Sequence, residues 1–183
     1  MTAIASVIEG GVIWMGGDAA LTETDSSRLM VTANPKVFRH GNFLMGFCGL
    51  TRMGRVLQYS FTPPKHLRRV RVDQYMNTTF VDALRKAFMD AGVATKHDNE
   101  ETIPADLLVG YRGRLFLIDP SYAVVESSRP YDAIGCGAQV ALGALHVTQK
   151  SPPRARVISA LKAAQEHDSA VRGPFEVLSL EPK

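Results

Sequence analysis

Apolar positions dominate residues 3–8, break at Glu9-Gly10-Gly11, and resume through 11–17 until Asp18. Two β-branched-rich runs around a glycine turn predict a β-hairpin. Residues 19–27 are polar and predict a loop. Leu29, Val31 and then 36–39 predict short strands around an Asn34-Pro35 turn. His40-Gly41-Asn42 reads as a second tight turn. The run 43–49 that follows is apolar without interruption, as suits a strand covered on both faces.

From Thr51 the period changes. Met53, Val56, Leu57 and Phe61 predict a helix capped by Thr51 and closed before Pro63-Pro64. Residues 65–71 form a basic connector. The apolar stripe Val72, Tyr75, Met76, Phe80, Leu84, Ala87, Phe88 and Ala91 predicts a helix over 72–91, with Gly92 as its stop. Residues 94–103 are polar and predict a mobile loop. Strands follow at 106–111 and 114–119 around Arg112-Gly113, then at 122–126 and 131–135. A small-residue helix is expected over 138–148. Pro153 suits the first turn of another helix running to 167, and 175–180 alternates as a last strand.

Strands, two helices, strands, two helices and a strand do not make a doubly wound βαβ pattern. The order predicts an α+β fold: a four-layer αββα sandwich, with two mainly antiparallel sheets between helix pairs. A chain of 183 residues, 45% hydrophobic and 21% charged, suits a single globular domain. No apolar run is long enough to cross a bilayer, so no membrane association is expected. No basic segment precedes an apolar one at the start, so a cytoplasmic protein without a signal peptide is expected. The net charge of +3 argues weakly for a nucleic-acid partner, since the basic run lacks interleaved aromatics. Cys48 and Cys136 form no metal-type pair and no disulfide framework, and both read as buried or site-lining thiols. No metal-ligand or phosphate-loop spacing is present, so no cofactor is expected.

Candidate chemistry begins at Thr2. Once Met1 is removed, Thr2 carries a hydroxyl and a free amine on one residue. A threonine hydroxyl is a weak nucleophile, but an α-amine, with an unperturbed pKa of roughly 7.7–8.0, can take its proton. Taken alone, Thr2 is an ordinary second residue, Asp18 a turn carboxylate, Lys36 a strand-edge lysine and Gly49 a turn glycine.

Five stretches in order change that balance: Thr2, residues 10–18, Asn34-Pro35-Lys36-Val37-Phe38, 45–49 and Ile134-Gly135-Cys136-Gly137. With them the chain resembles proteasome β-type subunits, closest in size to the bacterial HslV peptidase, and bacterial and phage proteasome-like proteins. The resemblance spans essentially the whole chain. It implies an N-terminal nucleophile hydrolase fold, a homo-oligomeric ring and threonine endopeptidase activity on polypeptides. It implies Thr2 as nucleophile, Asp18 and Lys36 as its charged partners, Gly49 as an oxyanion donor and Phe47 beside the substrate pocket. Cys136 and Asp168 take the places of the supporting polar groups. The pattern departs at Cys136, where the family usually has Ser, and at Val171, where another Ser is expected. Those departures motivate an alternative, a catalytically silent ring subunit, and a non-peptidase amidase on the same fold is a second. The chain carries no ATPase signature, so any energy-driven unfolding requires a separate ATPase partner.

Overall fold

The computed structural model describes residues 2–22, 28–98 and 100–182. Strand β1 (Ala3–Glu9) pairs antiparallel with β2 (Val12–Gly17), from Ile4 opposite Gly17 to Glu9 opposite Val12. The two lie at the centre of a four-stranded sheet, flanked by β12 (Tyr131–Gly135) and β13 (Glu176–Leu180). A five-stranded sheet is ordered β11 (Val124–Glu126), β10 (Arg114–Ile118), β9 (Ala105–Tyr111), β6 (Phe43–Gly49) and β5 (Val37–His40). Every strand pair is antiparallel.

The four layers follow from period-2 alternation on both sheets. Ile4, Ile13 and Met15 turn inward to meet Val37, Leu44, Leu108 and Leu115 between the sheets. On the other face of β1, Ala3, Ala5 and Val7 pack against Val157 and Leu161 of helix α5 (Pro153–His167) and Leu145 of α4 (Ala138–Val147). Small residues on that face of β1 let the helices approach closely. The outer face of the second sheet presents Met45, Phe47 and Val109 to α1 (Thr51–Tyr59), α2 (Val72–Tyr75) and α3 (Val81–Asp90). The fold is therefore the expected αββα sandwich.

Local departures from the sequence reading have identifiable causes. The polar segment after Asp18 contains β3 (Ala20–Thr22), paired with β4 (Leu29–Val31), rather than a loop from its start. Fully buried Ala20 and a Thr32 N–H to Ala19 carbonyl bond of 2.8 Å anchor it. The rest of that expected loop, 23–27, lies outside the described residues. Thr51 is the first helical residue of α1 and not its cap, a position held by Leu50 without a side-chain bond. The helix expected over 72–91 is interrupted by a π-turn at Met76–Phe80, whose extra residue resets the stripe so that Tyr75, Met76, Phe80, Leu84 and Phe88 are all buried. Residues 94–103 hold a hairpin of β7 (Thr95–His97) and β8 (Glu100–Thr102). An Arg85–Glu101 ion pair of 2.9 Å ties it to α3, a tertiary contact that a polar composition does not reveal.

Candidate active site

Thr2 sits where the two sheets meet, immediately before β1, and is 4% exposed. Asp18 follows β2 and lies opposite Ala3, one residue from Thr2, because the hairpin register brings residues 17 and 4 together. Lys36 opens β5 in the other sheet. Its ammonium donates to Thr2 Oγ1 at 2.9 Å and to Asp18 Oδ1 at 2.9 Å. Asp18 Oδ1 also accepts the Ala3 N–H at 3.0 Å, and Oδ2 accepts the Ala20 N–H at 3.0 Å. Both charged side chains are buried, at 7% and 0% exposure, so the pair holds its charges in a low-dielectric setting with hydrogen bonds to both carboxylate oxygens.

The opposite flank of Thr2 is formed by the loop between β12 and α4. Gly135 has φ of 94°, and a Cβ there would lie 2.1 Å from the Thr2 carbonyl oxygen. Only glycine lets the loop wrap this closely around Thr2. Next to it, exposed Cys136 accepts the Thr2 N–H at 3.2 Å and donates its thiol to the Thr2 carbonyl at 3.3 Å. Desolvation, reinforced by the neighbouring Asp168 carboxylate, pushes the Cys136 thiol above its ordinary pKa. Asp168, at the C-terminal end of α5, is held below the usual carboxylate range by that thiol and by the Ala170 N–H, 2.9 Å from Oδ1. Val171 is fully buried among Ala3, Ala164 and their neighbours, so the expected serine position has become apolar core.

Gly49 and Phe47 line one narrow cleft with Thr2 and Lys36, a space of about 30 Å³. Gly49 has φ of 105°, and a Cβ there would meet the Pro104 carbonyl oxygen at 2.1 Å, so this end of β6 admits no side chain. The structure thus brings all seven residues singled out from the sequence to one region, in two groups on either side of Thr2. The other thiol, Cys48, is buried beside Asp106 Oδ2 at 3.5 Å, and burial pushes its pKa up to about 12.

The sequence did not point to the rest of the cleft: Ala20, Leu21, Thr32, Asn34, Thr51 and Arg55. One signal was available. Thr51 and Arg55 are four apart on α1 and therefore share a face directly after Gly49.

No family model matches the sequence, and no curated protein does either. Solved structures match along its whole length. BPH of Thiobacillus denitrificans, in complex with epoxomicin, superposes with a TM-score of 0.81 at 20% identity, over 100% of both chains. HslV of Trypanosoma brucei gives 0.70 at 20% identity, over 98% of this chain and 99% of its own. Anbu (ancestral β-subunit) of Yersinia bercovieri gives 0.67 at 14% identity, over 97% and 81%. The chain therefore has the proteasome-like N-terminal nucleophile hydrolase fold, as the resemblance implied.

Proposed function

We propose that this protein is a threonine endopeptidase whose nucleophile is Thr2. The observation that carries this reading is the buried chain Thr2 Oγ1–Lys36 Nζ–Asp18 Oδ1, with both contacts at 2.9 Å. In the mature form, with Met1 removed, the Thr2 amine takes the hydroxyl proton as Oγ1 attacks the scissile carbonyl. The Lys36 ammonium stabilises the developing alkoxide, and Asp18 holds it in place. The Gly49 N–H receives the tetrahedral oxyanion. The Thr2 ammonium formed in that step then gives its proton to the departing amine, leaving an ester on Thr2. Water, deprotonated by the Thr2 amine, hydrolyses that ester and frees the enzyme. Cys136 and Asp168 orient the Thr2 backbone rather than carry out chemistry.

The natural substrates in this reading are polypeptides. Assembly into a homo-oligomeric ring and delivery of substrate by a separate ATPase belong to the same reading and are supported by the fold likeness alone. A cytoplasmic location fits it. Among the described residues no helix is long and apolar enough to cross a membrane.

Mass spectrometry of the purified protein tests the first requirement, and Thr2 is expected as the first residue. Epoxomicin, found in complex with BPH, is expected to form an adduct that Thr2→Ala abolishes. The same substitution is expected to lower peptide cleavage by roughly 10⁴-fold or more. Retention of Met1 or of a longer leader, together with no adduct and no Thr2-dependent cleavage, overturns the peptidase reading in favour of a silent subunit.

A further inference from the structure

Arg55 is a charged side chain in the Thr2 cleft that the proposed chemistry does not use. It lies on α1 and is half-buried, and Thr51 on the same helical face lines the cleft with it. Its neighbour one turn back points elsewhere, since Arg52 donates to the Ala91 carbonyl at 3.1 Å beyond α3. Arg55 Nη1 bonds Gln58 Oε1 at 2.7 Å, and among the described residues no carboxylate pairs with it. A guanidinium has five N–H donors in a planar fork that matches a carboxylate, so most of its bonding capacity is uncommitted.

The surroundings point the same way. Among the described residues no carboxylate lines the cleft. The other cation there, Lys36, is already bound to Asp18. Residues 26–72, which supply most of the cleft wall, contain nine Lys and Arg and no Asp or Glu. The rest of the chain, with twelve basic residues against eighteen acidic, is net negative. The field at this wall therefore favours an incoming anion. Shape adds a second restriction. Phe47 forms part of the wall, and its ring is seated on the α1 backbone, where a Cβ at Gly54 would lie 2.0 Å from Phe47 Cζ. The ring is fixed in place, so the cleft cannot widen on that side.

We infer that Arg55 makes this cleft a receptor for short acidic side chains, so that the enzyme cleaves after Asp or Glu in polypeptide substrates. The inference rests on the peptidase reading and narrows it to a substrate class. Arg55 is a specificity-determining residue. It binds the side-chain carboxylate and takes no part in bond breaking.

The test is a panel of fluorogenic peptides that differ only in the residue before the scissile bond: Asp, Glu, Leu, Phe or Lys. The wild-type protein is expected to cleave the Asp and Glu peptides at least tenfold more efficiently than the Leu peptide, with the advantage shrinking at high salt. Arg55→Gln is expected to lower the Asp-to-Leu ratio at least tenfold, chiefly through KM for the acidic peptide. Arg55→Lys is expected to restore part of the ratio, and Arg55→Glu to shift preference toward Lys. Equal or better cleavage of Leu or Phe by the wild type overturns the inference while leaving the peptidase reading standing. So does an acidic preference that survives in Arg55→Gln. Failure to cleave any peptide, with no epoxomicin adduct at Thr2, overturns both.

Discussion

The two flanks of Thr2 are built on different principles. On the side of the sheets, Lys36 and Asp18 are buried, paired with each other, and hydrogen-bonded to the Ala3 and Ala20 backbone as well as to the Thr2 hydroxyl. On the side of α4 and α5, exposed Cys136 holds the Thr2 backbone through longer sulfur contacts, and Asp168 lies beside that thiol. The buried flank fixes the Thr2 hydroxyl in a setting where a missing partner is costly. The open flank fixes the main chain of the same residue with weaker donors that water can replace. The lesson is that one residue can be held at its hydroxyl by electrostatics and at its backbone by shape, and the two supports should fail differently.

The largest expected effect comes from emptying the buried flank. Lys36→Met leaves the Asp18 carboxylate buried without its cation, which should cost about 3–5 kcal/mol of stability. Denaturant titration measures that loss, and peptide cleavage should fall to near background. A protein that keeps its stability would show that water reaches Asp18 and that both flanks are open to solvent.

Next in size is the loop itself. Gly135→Ala puts a methyl group 2.1 Å from the Thr2 carbonyl at a φ of 94°. The strain should cost about 1–3 kcal/mol. Displacement of Thr2 should lower kcat roughly 100-fold while KM changes little, because catalytic geometry tolerates little misplacement. Steady-state kinetics separates the two constants.

The smallest effects belong to the polar groups of the open flank. Asp168→Asn should lower activity about tenfold or less and shift Tm only slightly, since solvent screens a half-exposed carboxylate. Its pH signature has a definite sign. The folded-state pKa of Asp168 lies below the unfolded value, so its contribution is present above the unfolded value. That contribution is lost as pH falls through the folded pKa. The small Tm difference between wild type and Asp168→Asn seen at pH 7 should therefore shrink as pH falls below about 4 and vanish only below the lowered folded-state pKa, as thermal melts across pH would show. Cys136→Ser should change cleavage less than about threefold, because a hydroxyl can make the same two contacts. The raised thiol pKa should also make alkylation of Cys136 at neutral pH slower than that of a free thiol, despite its exposure.

Most of the fold was legible in the sequence, because its signals are local. Apolar runs marked the strands at 3–8 and 106–111, and Gly92 marked a helix end that the structure keeps, with φ of 64°. The β7–β8 hairpin was not legible. Its strands are short and polar, and their stability derives from Arg85 on a distant helix. Of the site, the glycines, Thr2, Asp18 and Lys36 could be singled out by order and type, while Arg55 could not. Its neighbours on α1 look like those of any surface arginine until β6 and the Thr2 strand are placed against them.

By itself, then, the sequence determined which segments become strands and helices, which faces of them are apolar, and where glycine must stand so that the backbone can turn or pass closely. Those properties depend on side chains a few residues apart. The tertiary structure alone decided that Lys36 reaches both Thr2 and Asp18, that Cys136 and Asp168 meet behind Thr2, and that Val171 is core. It also decided that Arg55 looks into the same cleft. Each of these contacts joins segments from separate layers, and its geometry follows from how two sheets and two helix pairs pack. Packing fixes positions to within a hydrogen-bond length, and that is the scale on which a hydroxyl at the start of a strand can become a nucleophile.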